Sequence, residues 1–144
     1  YYEFEQVKQL TTENQWLESA AGKAVKIISQ LLADLPADKQ YRIVFALRDM
    51  GEILASQRAM LQRRGLEADG VDDAEIAAVF GRHLNEVRAW LQTQQHMAVL
   101  YVDYAEILRD PLAESGKIEA FLGRSLDVQR MAAVVDDNLY RQRK

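Results

Sequence analysis

Tyr41-Arg-Ile-Val-Phe-Ala-Leu-Arg-Asp-Met-Gly-Glu-Ile-Leu-Ala-Ser-Gln57 passes from a strand pattern to a helix pattern within two or three residues. The run Tyr41–Leu47 is almost continuously apolar, as expected of a strand in a parallel sheet covered on both faces. Arg48-Asp49 ends it, and 50–64 reads as a helix stopped by Gly65. Ligands of open α/β sheets bind just beyond the carboxyl ends of the strands. Arg48 is therefore expected to project into that crevice, and the free amides and positive dipole end of the next helix point the same way. Ser56 lies eight positions after Arg48, about two helical turns past Asp49 and on nearly the same face. A guanidinium fork, a hydroxyl and helix amides together suit a phosphate. The same pattern admits a plainer reading, in which Arg48 pairs with a surface carboxylate and Ser56 faces solvent.

Strand and helix patterns alternate on either side of this stretch. Upstream, Phe4, Val7 and Leu10 have helical spacing, and a short helix is expected from Thr12, as N-cap, through Trp16 and Leu17 to Gly22. The segment 23–28 reads as a strand followed by a helix capped by Ser29, or else as one long helix running on to Leu35, since periodicity alone does not separate the two. The strand is the preferred reading. Downstream, an acidic loop over 67–73 leads into a long helix striped by Ile76, Phe80, Leu84, Val87 and Leu91. Segment 98–103 is the next strand. Asp110-Pro111 opens a short helix with proline at its first position, 115–122 forms another that Gly123 stops, and Asp127 caps a last one. The expected fold is α/β, with about three parallel strands, 23–28, 41–47 and 98–103, flanked by helices.

Composition narrows the function. The 144 residues suffice for one domain, and 49% hydrophobic with 28% charged residues is ordinary for a globular chain. A net charge of −4 gives no basic excess for general nucleic-acid binding. No apolar run approaches the ~20 residues that cross a bilayer, and the start shows no secretory signal, so neither nucleic acid nor membrane is expected as a partner. The absence of cysteine removes thiolate chemistry and fits a cytoplasmic location. His83 and His96 lack a paired ligand spacing, so no metal site is expected. Trp16 and Trp90 read as core or interface residues.

The segment around Arg48 resembles the 3′-phosphate-binding motif of sulfotransferases that use 3′-phosphoadenosine 5′-phosphosulfate. That motif is a strand, Arg, Asp or Asn, usually Pro, then Ser eight residues after Arg. Other pieces match in order. Tyr1-Tyr-Glu-Phe-Glu5 is similar to a Gly-Tyr-Tyr-Glu stretch of one bacterial branch, and Ser56-Gln-Arg-Ala-Met-Leu61 resembles its helix sequence. Val99-Leu-Tyr-Val-Asp-Tyr104, Asp110-Pro111, Phe121-Leu-Gly123 and Val134-Val-Asp-Asp-Asn-Leu-Tyr-Arg141 resemble its later landmarks. The resemblance implies a P-loop-type three-layer sandwich in which Arg48 and Ser56 bind the 3′-phosphate of the donor. It implies a basic contact to the same nucleotide at Arg141, which also reads as a solvated arginine of a basic tail. It implies an acceptor base, for which Glu3 is the candidate; a first-turn helix glutamate is the plainer reading. Arg63 and Arg64 are candidates for facing acceptor or phosphate, or simply cations at a helix end. The acceptor that the resemblance implies is a small molecule or a glycan.

Two positions depart from the family pattern. Met50 stands where proline is common, which only forgoes a pre-set helical dihedral. The seven glycines, Gly22, Gly51, Gly65, Gly70, Gly81, Gly116 and Gly123, form no glycine-rich loop of the kind that holds the 5′-phosphosulfate. The chain thus reads as the carboxyl-terminal part, 1–144, of a sulfotransferase domain. Without the strand that carries the loop, neighbouring strands expose edges and apolar faces, and a homodimer is one way to cover them. The competing reading is a non-catalytic interaction module that dimerises through this surface. A kinase-like enzyme is disfavoured because no Walker-type sequence occurs.

Overall fold

The computed structural model describes residues 5–63, 65 and 72–136. Among them, strand β1 (Tyr41–Leu47) pairs in parallel with β2 (Met97–Asp103), in a register that sets Tyr41 opposite Met97 and Leu47 opposite Asp103. Parallel strands need a long crossover, and here it contains two helices, α2 (Met50–Arg63) and α3 (Asp73–Leu91). A short helix α1 (Trp16–Ser19) precedes β1; α4 (Tyr104–Arg109), α5 (Pro111–Leu122) and α6 (Val128–Ala133) follow β2. The fold is α/β, with a two-stranded parallel sheet flanked by helices among the described residues.

The core lies on one face of the sheet. Val7, Leu10, Trp16, Leu17, Leu32, Leu35, Phe45, Leu91 and Met97 form a buried cluster, and Ile43, Leu47, Val99 and Tyr101 pack against it from the strands. These strand residues share one parity, as the period of 2 requires. On the other face Val102 is buried, but Arg42, Val44 and Ala46 are exposed. The expected coverage of β1 on both faces is therefore not found among the described residues.

The third strand is also corrected. Residues 24–28 take no regular secondary structure and form no ladder with another described strand, and a 3-10 turn, Ser29–Asp34, follows with no side-chain cap. Val25 and Ile27 pack on the core while Lys26 and Ile28 face outward, which explains the alternating pattern. A strand also needs a ladder partner, and none of the described residues supplies one.

Local chemistry accounts for the helix ends. Asp72, Asp103, Asp110 and Asp127 each cap a helix by accepting an amide hydrogen bond in its first turn. Asp110 with Pro111 at N1 starts α5, which runs unbroken through 115–122, so the two short helices expected there are one. Gly123 ends it with φ of 62°, a left-handed conformation that glycine adopts without a Cβ penalty. Thr12 bonds back to the Gln9 carbonyl instead of capping, and α1 begins at Trp16. No helix among the described residues is long and apolar enough to cross a membrane.

Candidate functional site

The site follows from the strand register. Leu47 and Asp103 end their strands side by side, so the next residues, Arg48 and Tyr104, leave the sheet together at its carboxyl edge. There the Arg48 guanidinium carbon stands 4.9 Å from the centre of the Tyr104 ring, a cation–π contact. One turn into α2, Glu52 accepts from Arg48 Nε at 3.1 Å. The Glu52 side chain is 9% exposed and that of Arg48 27%, so this ion pair is largely withdrawn from water. Leu47, Arg48, Asp49, Glu52, Asp103 and Ala105 line a crevice of about 270 Å³. That is just below the ~300–1,000 Å³ of whole-ligand pockets, and it leaves room for a phosphate group.

The crevice is more acidic than the sequence reading anticipates. Asp49 caps α2, its carboxylate accepting from the Glu52 amide at 3.2 Å. Asp103 caps α4 by accepting from the Ala105 amide at 2.7 Å. One of the amides expected to face an anion is thus already engaged by Asp49. Arg48 does pair with a carboxylate, as the plainer reading holds, but with a buried one that shares its crevice. Tyr104 and Glu52 were not singled out from sequence. The signal for Glu52 was its i, i+4 spacing from Arg48; the signal for Tyr104 exists only once the register is known.

The remaining candidates are placed as follows. Ser56 is half-buried on α2, one turn beyond Glu52, and is not among the residues lining the crevice. Arg63 is exposed and donates to the Ala59 carbonyl within its helix. Glu3, Arg64 and Arg141 lie outside the described residues. His83 bonds to Ser29 Oγ at 2.8 Å, joining α3 to the 3-10 turn, and both His83 and His96 are half-buried. His96 packs edge-on to Tyr41. Trp16 is buried and Trp90 packs against the core. No cluster of His, Cys, Asp or Glu able to hold a metal occurs among the described residues.

A family model described as the sulfotransferase domain matches residues 4–144. The chain belongs to the sulfotransferase family. It is 24% identical over 123 residues to sulfotransferase 1A1 of Rattus norvegicus, an alignment that covers 79% of this chain and 42% of that protein. The chain therefore spans less than half the length of this sulfotransferase relative. No solved structure matches it. Within the sulfotransferase domain, the matched region includes both strands, the α2–α3 crossover and the crevice that holds Arg48.

Proposed function

We propose that this chain forms the 3′-phosphate half of the donor site of a sulfotransferase using 3′-phosphoadenosine 5′-phosphosulfate. The observation that carries the reading is the position of Arg48. It is a guanidinium at the carboxyl end of a parallel strand, beside the first turn of α2, in a crevice of a sulfotransferase domain with room for a phosphate group. An arginine fork binds phosphate oxygens in pairs, and a carboxyl-edge crevice is where α/β sheets take their ligands. In this reading Ser56, one turn beyond Glu52 on α2, is a second contact to the 3′-phosphate, and Arg141 adds a second cation to the nucleotide.

In this reading the donor supplies an activated sulfuryl group. The acceptor hydroxyl oxygen forms a bond to sulfur as the bond between sulfur and the 5′-phosphate oxygen breaks. The hydroxyl proton passes to the Glu3 carboxylate, and adenosine 3′,5′-bisphosphate leaves. Arg48 binds and orients the nucleotide throughout, with no proton of its own transferred. The acceptor is a small molecule or a glycan. Titration of the full gene product with adenosine 3′,5′-bisphosphate and with adenosine 5′-phosphate tests the reading. Preference for the bisphosphate that disappears in Arg48→Ala supports it, and equal affinity for the two nucleotides sinks it.

A second reading, a non-catalytic module that pairs with another copy, is favoured by the exposed sheet face around Val44, which is 37% exposed. It predicts no discrimination between the two nucleotides.

A further inference from the structure

Among the described residues, the carboxylates of Asp49, Glu52 and Asp103 line the crevice together with the guanidinium of Arg48. Two of the three have structural duties, since Asp49 and Asp103 cap helices. Glu52 differs. It is buried, and its carboxylate accepts from Arg48 Nε at 3.1 Å. An arginine that already neutralises a buried carboxylate attracts a second anion less strongly, because the two negative groups repel across a poorly screened site.

We infer that the crevice carries its own competitor for the phosphate. Glu52, seconded by Asp103, attenuates anion binding at Arg48, so the site holds nucleotide weakly enough to release the bisphosphate product. This inference rests on the reading of Arg48 as a phosphate contact. It assigns Glu52 a regulatory role in affinity and not a direct contact with ligand. A glutamine at 52 keeps an oxygen able to accept from Arg48 Nε and leaves the Tyr104 ring contact in place. Glu52→Gln thus removes the charge while preserving the guanidinium's position. Damage to the fold would weaken binding. Tightening is a result that structural damage does not produce.

The test is calorimetric titration of the full gene product with adenosine 3′,5′-bisphosphate, on wild type, Glu52→Gln, Asp103→Asn and Arg48→Ala. Removing a unit charge that shares the guanidinium with a bound phosphate changes affinity by about tenfold. Glu52→Gln is expected to bind the bisphosphate about tenfold more tightly than wild type. Asp103→Asn is expected to tighten it by a smaller factor; asparagine caps helices as well as aspartate, so this variant keeps its fold if Glu52→Gln does not. Unchanged or weaker binding in both, with Arg48→Ala still losing affinity, overturns the attenuator and leaves the phosphate reading intact. Unchanged affinity in Arg48→Ala overturns both.

Discussion

The guanidinium of Arg48 rests 4.9 Å from the centre of the Tyr104 ring, although 56 positions separate the two residues in the chain. The parallel register brings them together, because Leu47 and Asp103 are partners on the last rung of the ladder. The ring covers one face of the guanidinium while Glu52 holds its Nε edge. The arginine is therefore oriented by two elements before any ligand arrives.

Substitution of Tyr104 tests this orientation. A partly desolvated cation–π contact is worth roughly 0.5–2 kcal/mol. Tyr104→Leu should weaken bisphosphate binding by roughly 2- to 30-fold at 1.4 kcal/mol per decade. Tyr104→Phe keeps the ring and should stay close to wild type. In an Arg48→Ala background Tyr104→Leu should cost nothing further. Additive losses would show that Tyr104 acts independently of Arg48.

Tyr41 gives a pH-dependent prediction. Its hydroxyl donates to the Pro36 carbonyl at 3.0 Å. Its pKa is raised above the usual tyrosine value, by burial first and by the Asp38 carboxylate second. The folded state thus holds this proton more tightly than the unfolded chain does. The resulting stability is fully present below pH ~10, the unfolded tyrosine value, and is lost as pH rises through the folded value. Tyr41→Phe removes one hydrogen bond and should lower stability at neutral pH by about 0.5–1.5 kcal/mol. Wild type should lose more stability than Tyr41→Phe between neutral and strongly alkaline pH. Denaturant melts of both proteins that change in parallel above pH 10 would refute this linkage.

The sheet face opposite the core predicts self-association. Val44 and Ala46 are exposed there, and among the described residues each strand has an unpaired edge. Open edges and apolar faces invite a second chain. Analytical ultracentrifugation of the 144-residue chain should show a concentration-dependent shift above the monomer mass, or loss of material to aggregates. Val44→Lys should reduce it. A sharp monomer at all concentrations, with a cooperative thermal transition, would count against the prediction.

What could be read from sequence divides along local and non-local lines. Strand Tyr41–Leu47, helix Asp73–Leu91 and the Asp110-Pro111 start are each written in a few adjacent residues, and all appear in the structure. The segment 23–28 has a strand's alternation, but pairing belongs to two segments at once and cannot be read from one. Ser115 resembles a helix start, yet the Asp110 cap upstream already commits the backbone, and Ser115 is buried inside α5. At the site, the exit of Arg48 from a strand is a local fact and was legible. Its pairing with Glu52 has the spacing of many solvated helix pairs, and only burial distinguishes it. The Tyr104 contact depends on register across the sheet, which no local pattern encodes.

The most direct measurement is the affinity of the full gene product for adenosine 3′,5′-bisphosphate and adenosine 5′-phosphate, in wild type, Arg48→Ala and Ser56→Ala. A hydrogen bond to a charged group contributes roughly 1.5–3 kcal/mol. Arg48→Ala should therefore weaken bisphosphate binding by roughly 10- to 150-fold. Ser56→Ala, which removes one hydroxyl, should cost less. Binding of the 5′-phosphate, which lacks the recognised group, should be unaffected by either change. Equal losses for both nucleotides, or no loss for either, would contradict the assignment of Arg48 to the 3′-phosphate.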